Sequence, residues 1–359
     1  MTTTSRRHFL AAATLLSFSG LGLSLAPPPK EADTPAPSFR VSAPMTHDNL
    51  TVFFLHGPDQ IEGKILTLDE ALAAKKIVVH ETKNVSELSI ENVSGDEVFV
   101  QAGDIVKGGQ QDRTLQQDML VPPRSGKLPL ASFCVENGRW SARGSESAKS
   151  FSRSPYNLVG NDLKLACRKA SSQRLVWAGV AKAQMQLNDA LKSEVKDGRS
   201  ATSLQLTLEN EKLKQTIAAG VKALGAALDP KTPDAIGYAV VINGKVVGAD
   251  VYANADLFRR LWPKLLQASV IEAVGEKKAG LKPSPVKAET IAAFLADAAK
   301  GKRSEKKLAR DMVEVQRESA QNVYFETRTK DAAVLRRSYL AQPEKPLKEE
   351  APPPQRRNR

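Results

Sequence analysis

The stretch "GGQQDRTLQQDMLVPPRSGKLPLASFCVENGRW", residues 108–140, gathers the residue types that could do chemistry. Adjacent glycines could cradle a phosphate, and Cys134 could be a nucleophile. Asp104, Asp112, Arg113, Glu136 and Arg139 could form an acid–base or anion site. Spacing argues against the first two. "KGGQQDRT" lacks the lysine and the serine or threonine that grip phosphate and magnesium. The residues after it have strand character, so no helix N-terminus faces an anion there. Arg139 follows Cys134 one residue too soon for a cysteine-phosphatase loop, and a reactive thiol needs an electropositive setting. Glu136 beside it works the other way.

The charged residues then carry two readings. Cys134 and Glu136 share a strand face by period two, so Glu136 points inward and takes Arg113 or Arg139 as a bidentate partner. In the first reading that pair is structural and locks two strands. In the second, Arg113, Arg139 and Trp140 line an anion or sugar-phosphate pocket, with Asp104 or Glu136 as general base. The four histidines, His8, His47, His56 and His80, have no ligand spacing. With only Cys134 and Cys167 besides, no zinc quartet can be assembled, and neither metal nor cofactor is expected.

The elements that must position these residues read as α+β: a β-rich N-terminal half of antiparallel sheets, a helical middle, and hairpins returning to the sheet. Residues 48–57 and 77–82 read as strands. Thr67 and Glu70 form a capping box for a short helix. Residues 86–109 give further strands, with turns at 94–96 and at Gly103. Residues 143–161 are polar and serine-rich and read as a loop. Ser172 caps an amphipathic helix. Residues 202–228 hold a second one, stopped at Asp229–Pro230. Asn243–Gly244 between two β-runs is a type I′ hairpin signal. Asn254 caps a helix that contains Pro263, where a kink is expected. A small helix near 287–300 precedes three strand-like runs around 312–340, a terminal meander.

The block "AGDIVKGGQQDRTLQQDMLVPPRSGKLPLASFCVENGRW" resembles the hallmark block of the ARG and Rhodanese-Phosphatase-superfamily-associated protein domain. The matching positions are Gly103–Asp104, Gly108, Gln111, Arg113, Val121–Pro122, Cys134–Val135–Glu136 and Gly138–Arg139–Trp140. "LTLDEALAAKKIVV" and "VVINGKVVGADVYANADLFRRLWPKLLQA" are similar to other family segments, so the resemblance spans most of 48–275. It adds Gln111 to the ligand-binding set of Arg113, Arg139 and Trp140. Gln110 and Asp112 stand where the family pattern has lysine and asparagine. The family's association with hydrolases and phosphatases implies phosphoester or ADP-ribose-like compounds as the class to test.

The chain's ends speak to location. "SRRHFL" followed by an apolar run to Ala26 reads as a twin-arginine export signal over residues 1–26. Pro27 after Ala26 is poor for cleavage, so a retained membrane anchor is the alternative. Residues 27–46 read as a Pro/Ala-rich linker, 47–275 as the main domain, and 276–341 as a basic linker, short helices and meander packed on it. Residues 342–359 read as a disordered tail. Net charge is +12, and residues 276–310 alone hold ten Lys/Arg against four acids. No aromatic residues interleave with these lysines, so nucleic acid is not expected. A solvated helical face plus linker explains the stretch, and envelope anions are the partner that it would otherwise meet. Three functions follow for a periplasmic or extracellular protein. They are a binder of a small anionic or sugar-phosphate-like ligand, a hydrolase using Asp104 or Glu136 with Arg113 and Arg139, and an envelope scaffold using the basic region.

Overall fold

The computed structural model describes Met1 and residues 38–228, 233–281 and 284–349. The export signal, Asp229–Pro230 and the end of the tail lie outside these. The first half runs β1 (Arg40–Val41), β2 (Met45–His47), β3 (Leu50–His56), β4 (Leu66–Thr67), α1 (Leu68–Ala73), β5 (Ile77–Asn84), β6 (Glu87–Asn92), β7 (Val98–Val100), β8 (Asp104–Gly108), β9 (Arg113–Leu115), β10 (Met119–Val121), β11 (Gly126–Cys134) and β12 (Ser150–Asn157). The middle is helical: α2 (Asn161–Leu165) running into a π-helical turn (Ala166–Ala170), α3 (Gln173–Leu191), α4 (Leu204–Leu208) and α5 (Glu211–Gly225). Then come β13 (Ala235–Ile242), β14 (Lys245–Tyr252), α6 (Ala255–Gly275), α7 (Ala288–Asp297), β15 (Lys302–Lys307), β16 (Val313–Glu318), β17 (Asn322–Arg328) and β18 (Val334–Ala341). The fold is α+β with a β-rich first half. No helix among the described residues is long and apolar enough to cross a membrane.

Three β-systems organise the chain. Six strands close a barrel in the order β11-β6-β5-β12-β8-β9, which leaves no edge. A nine-stranded antiparallel sheet has the order β1-β3-β13-β14-β18-β17-β16-β15, with β2 also on β3. A small sheet joins β10, β7 and β4, with β4 and β7 parallel. The large sheet is covered on both faces. Phe54, Tyr238 and Val240 pack with Phe258 and Trp262 of α6, whereas Phe53, Val241 and Tyr339 pack with Ile291 and Phe294 of α7. Strand β13 is therefore buried at all eight residues, as a strand with two covered faces must be.

Local signals placed several elements correctly. Thr67 and Glu70 form the capping box of α1, and Ser172 and Asn254 cap α3 and α6. Asn243 and Gly244 both have positive φ, at 52° and 79°, and join β13 to β14 as a I′ turn requires. Helix α6 continues unbroken through Pro263.

Other expectations need correction. The polar 143–161 segment is not all loop. Its residues 150–157 are β12, which pairs with both β5 and β8 and completes the barrel. A register irregularity between Arg153 and Asn157 breaks the alternation, so period two does not show. The turns at 94–96 and Gly103 make no hairpins. Each passes the chain between the barrel and the small sheet, because β6 and β8 belong to the barrel and β7 to the small sheet. The basic 302–307 run is neither helix nor linker but the edge strand β15, exposed at every residue. Charge on an edge strand discourages pairing with other chains. Residues 40–46, expected in the linker, contribute β1 and β2 to the large sheet. Strands β15 to β18 extend the sheet that β3 and β13 begin, so 276–341 is part of one domain with the preceding residues. The first residues of the expected tail lie against it, with Leu347 packed on the main core.

Candidate functional site

The hallmark block folds around one mouth of the barrel. Strand β8 ends at Gly108, and Gly109 follows it; their φ values are 124° and 59°. Packing demands the second glycine: a Cβ there would sit 2.3 Å from the Phe151 ring and 2.7 Å from Glu81 Oε2. The following amide, Gln110 N–H, donates to Glu81 Oε2 at 3.0 Å. The paired glycines thus seat a barrel carboxylate and ring, not a phosphate.

Beyond them lies a buried ion-pair network. Arg139 Nε donates to Glu136 Oε1 at 2.8 Å, and Nη2 stands in ion-pair contact with Oε2 at 2.7 Å without a hydrogen bond. Arg143 holds Asp112 with two hydrogen bonds at 2.9 and 3.2 Å, and reaches Glu146 at 2.9 Å. Asp112 also accepts from Gly108 N–H at 3.0 Å and from Ser203 Oγ at 3.2 Å. Ser203 in turn caps α4, so the network ties the barrel mouth to the helical middle. Gln111 donates to the Glu136 carbonyl at 3.0 Å.

The two carboxylates, Asp112 and Glu136, are wholly buried, yet their acidities move apart. Burial pushes Asp112 up, and Glu136 nearby adds to this against the pull of Arg143. Burial would also raise Glu136, but hydrogen bonds from Arg139 and Ser200 and the charges of Arg139 and Arg143 outweigh it and hold Glu136 below the usual range.

Arg113, opposite Cys134 across β9 and β11, is completely buried. One guanidinium nitrogen, Nη1, donates to Val85 O at 3.0 Å and touches Cys134 Sγ. Nη2 lies 3.9 Å from Glu81 Oε2. Neither Nε nor Nη2 has a hydrogen-bond partner. Trp140 lies over this guanidinium with its centroid at 5.6 Å and is itself 46% exposed. Cys134 is free and buried, and burial pushes its thiol up to about 11 despite Arg113. That is the wrong direction for a nucleophile.

Asp104 is elsewhere. It sits at the start of β8, four residues from Gly108, roughly 13 Å along the strand. There it meets Lys264 Nζ at 2.9 Å, Asn157 Nδ2 at 3.2 Å and Gln101 N–H at 3.1 Å. Lys264 also contacts Asp69 at 2.8 Å. The structure therefore brings Gln111, Arg113, Glu136, Arg139 and Trp140 together and leaves Asp104 in a separate cluster.

Sequence reasoning did not find Glu81, Arg143, Glu146 or Ser203 at the mouth, nor Lys264 and Asp69 beside Asp104. It also missed a third cluster, in which buried Asp118 meets Arg168 at 3.1 Å and Arg336 at 2.8 Å, with Arg336 reaching Asp250 at 2.8 Å. The one available signal was a charge inside an apolar strand run, as with Arg336 after Val334–Leu335 in β18. No group of three or more metal-ligating side chains occurs among the described residues.

A closed six-stranded barrel joined to a large antiparallel sheet, with an arginine–carboxylate network at the barrel mouth, defines an α+β domain of one kind. The chain belongs to the ARG and Rhodanese-Phosphatase-superfamily-associated Protein domain family, ARPP-1, whose model matches residues 38–340. That span includes the terminal meander as well as the hallmark block. No curated protein and no solved structure matches the chain.

Proposed function

We propose that this is an exported binding protein that takes a small anionic, sugar-phosphate-like ligand at the barrel mouth. The observation that carries the reading is Arg113: a buried guanidinium whose Nε and Nη2 make no hydrogen bond, with Glu81 at 3.9 Å, beneath an exposed aromatic ring. Buried donors of this kind are costly to leave unmade. A phosphate oxygen would supply the acceptor, and Trp140 would move from the guanidinium to cover a sugar or base. Arg139 and Arg143 are held by carboxylates at 2.7–2.9 Å, closer than Glu81 is to Arg113, which limits the site to one anionic group.

Binding is favoured over hydrolysis. A general acid or base wants an acidity shifted toward neutrality, whereas Glu136 is held low in its pair with Arg139, Asp104 lies in the other cluster, and Asp112, though raised, has both oxygens occupied by Arg143, Gly108 N–H and Ser203. The test is Trp140 fluorescence on titration with ribose 5-phosphate and ADP-ribose. Quenching is expected in the wild type. Arg113→Met should weaken binding at least about tenfold, the worth of one charged hydrogen bond. Trp140→Phe, read by calorimetry, should retain most of it. If neither compound binds at millimolar concentration, the reading fails.

Export is part of the proposal and rests on Arg6–Arg7 before an apolar run. Replacing both by lysine should hold the protein in the cytoplasm, and an unchanged distribution on fractionation would refute that route. An envelope-scaffold role is supported by the fully exposed edge strand β15, "KRSEKK". Deleting 276–359 would not test it, because β15 to β18 would leave the large sheet. Substituting Lys302, Lys306 and Lys307 by glutamate should release envelope association without unfolding. Association that survives those substitutions would exclude β15 as the contact.

A further inference from the structure

A cavity of about 330 Å³ lies away from the ion-pair networks. Its floor is Leu165 and Ala166, with Leu175 from α3, and its roof is Pro343, Pro346 and Leu347 from the segment after β18. It is a cleft partly open to solvent, lined mainly by apolar atoms. Part of its wall is the π-helical turn Ala166–Ala170, a rare geometry that recurs at functional sites.

The roof is a strap held at its ends. Gln342 bonds Ser319 O at 3.1 Å and Glu318 at 3.2 Å. Glu344 pairs with Lys245. Glu349 accepts from Ser172 Oγ at 3.0 Å and pairs with Arg174 at 2.6 Å, at the N-terminus of α3. Gln342 is the firmer end, with a part-buried bond and its N–H on Gln321 O at 2.9 Å; the contacts of Glu344 and Glu349 are exposed and of the kind worth little individually, so the strap beyond Gln342 can lift and reseat. Of the charged residues lining the cavity, Asp162 is paired with Lys182. Lys169 is paired with the exposed Glu318.

We propose that this cavity binds one medium-length acyl chain, with its carboxylate at Lys169 in place of Glu318. A single cation at the rim of an apolar cleft matches an amphiphile with one anionic head. A space of ~150 Å³ takes the six carbons of benzene, so about 330 Å³ suits a chain of about ten carbons. The strap closes over the bound chain through its two prolines and Leu347.

Calorimetry on the full chain with decanoate and with decanol tests this. Wild type is expected to bind decanoate at one site. Leu175→Trp fills the cavity and should weaken it at least about tenfold, since each methylene left outside costs about fourfold. Lys169→Ala should weaken decanoate and leave decanol unchanged. Should Leu175→Trp fail to fold, Leu347→Trp on the strap makes the same measurement. Absence of decanoate binding in the wild type, or undiminished binding in the filled variant, overturns the proposal. Equal loss of decanoate and decanol in Lys169→Ala overturns the head-group assignment.

Discussion

Arg143 is the residue on which the barrel mouth turns. It satisfies Asp112 with two bonds and Glu146 with a third. Removing one member of a buried ion pair leaves an uncompensated charge and typically costs 3–5 kcal/mol. Arg143→Ala should therefore lose about 3–5 kcal/mol in denaturant unfolding, and Arg143→Lys should recover only part because lysine cannot make the fork. A loss under about 1 kcal/mol would mean that the mouth is held by other contacts.

Glu276 provides a second test at this scale. Its carboxyl is pushed up to about 7, first by burial and then by Glu272 and Asp162, against Lys182 and Lys278. It also caps the C-terminal end of α6, where negative charge is disfavoured. An acid whose folded value is raised binds more protons folded than unfolded, so stability falls as pH climbs from about 4.5 to about 7. Glu276→Gln should abolish that fall. It should stabilise the protein at pH 8 by about 1–2 kcal/mol, after discounting for partial exposure, and leave stability at pH 4 unchanged. A variant with the same slope would exclude Glu276 as its source.

At the scale of elements, what was legible in the sequence was local. Thr67, Ser172 and Asn254 mark helix starts because a cap satisfies amides only three residues away. Asn243–Gly244 marks a hairpin because its two residues must take positive φ. Strand β12 was not legible: its partners β5 and β8 are distant, and serines fill positions where apolar residues would have shown the period. Phe151 is its one large barrel-core side chain. That ring crowds the β8–β9 loop, which gives the element its own prediction. Gly109→Ala drives a Cβ into Phe151 and Glu81 at a positive φ and should cost at least about 1–3 kcal/mol. An unchanged melting temperature would show that the loop relaxes freely.

The charged clusters of the site were half legible. Glu136 with Arg139 could be paired on paper because they stand three positions apart. Asp112 with Arg143 spans 31 residues, and Arg336 with Asp118 spans 218. No spacing rule reaches that far, and only the closed barrel and the sheet bring such residues together.

Over the whole molecule, those long-range pairs join the parts into one unit. Asp118 lies between β9 and β10, and Arg336 and Asp250 lie in the large sheet. Arg168 on the π-helical turn completes the link. Barrel and sheet should therefore unfold in a single transition, with amide exchange protection lost together. Separate transitions would contradict this coupling.

Both cysteines sit inside this unit as free, buried thiols, Cys167 pushed up to about 12 by its burial. They should resist alkylation until denaturant is added, and the melting temperature should be the same with and without dithiothreitol. Such a chain needs no oxidant to reach its final form. With both thiols free and buried, its fold has the same covalent form in reducing and in oxidising surroundings.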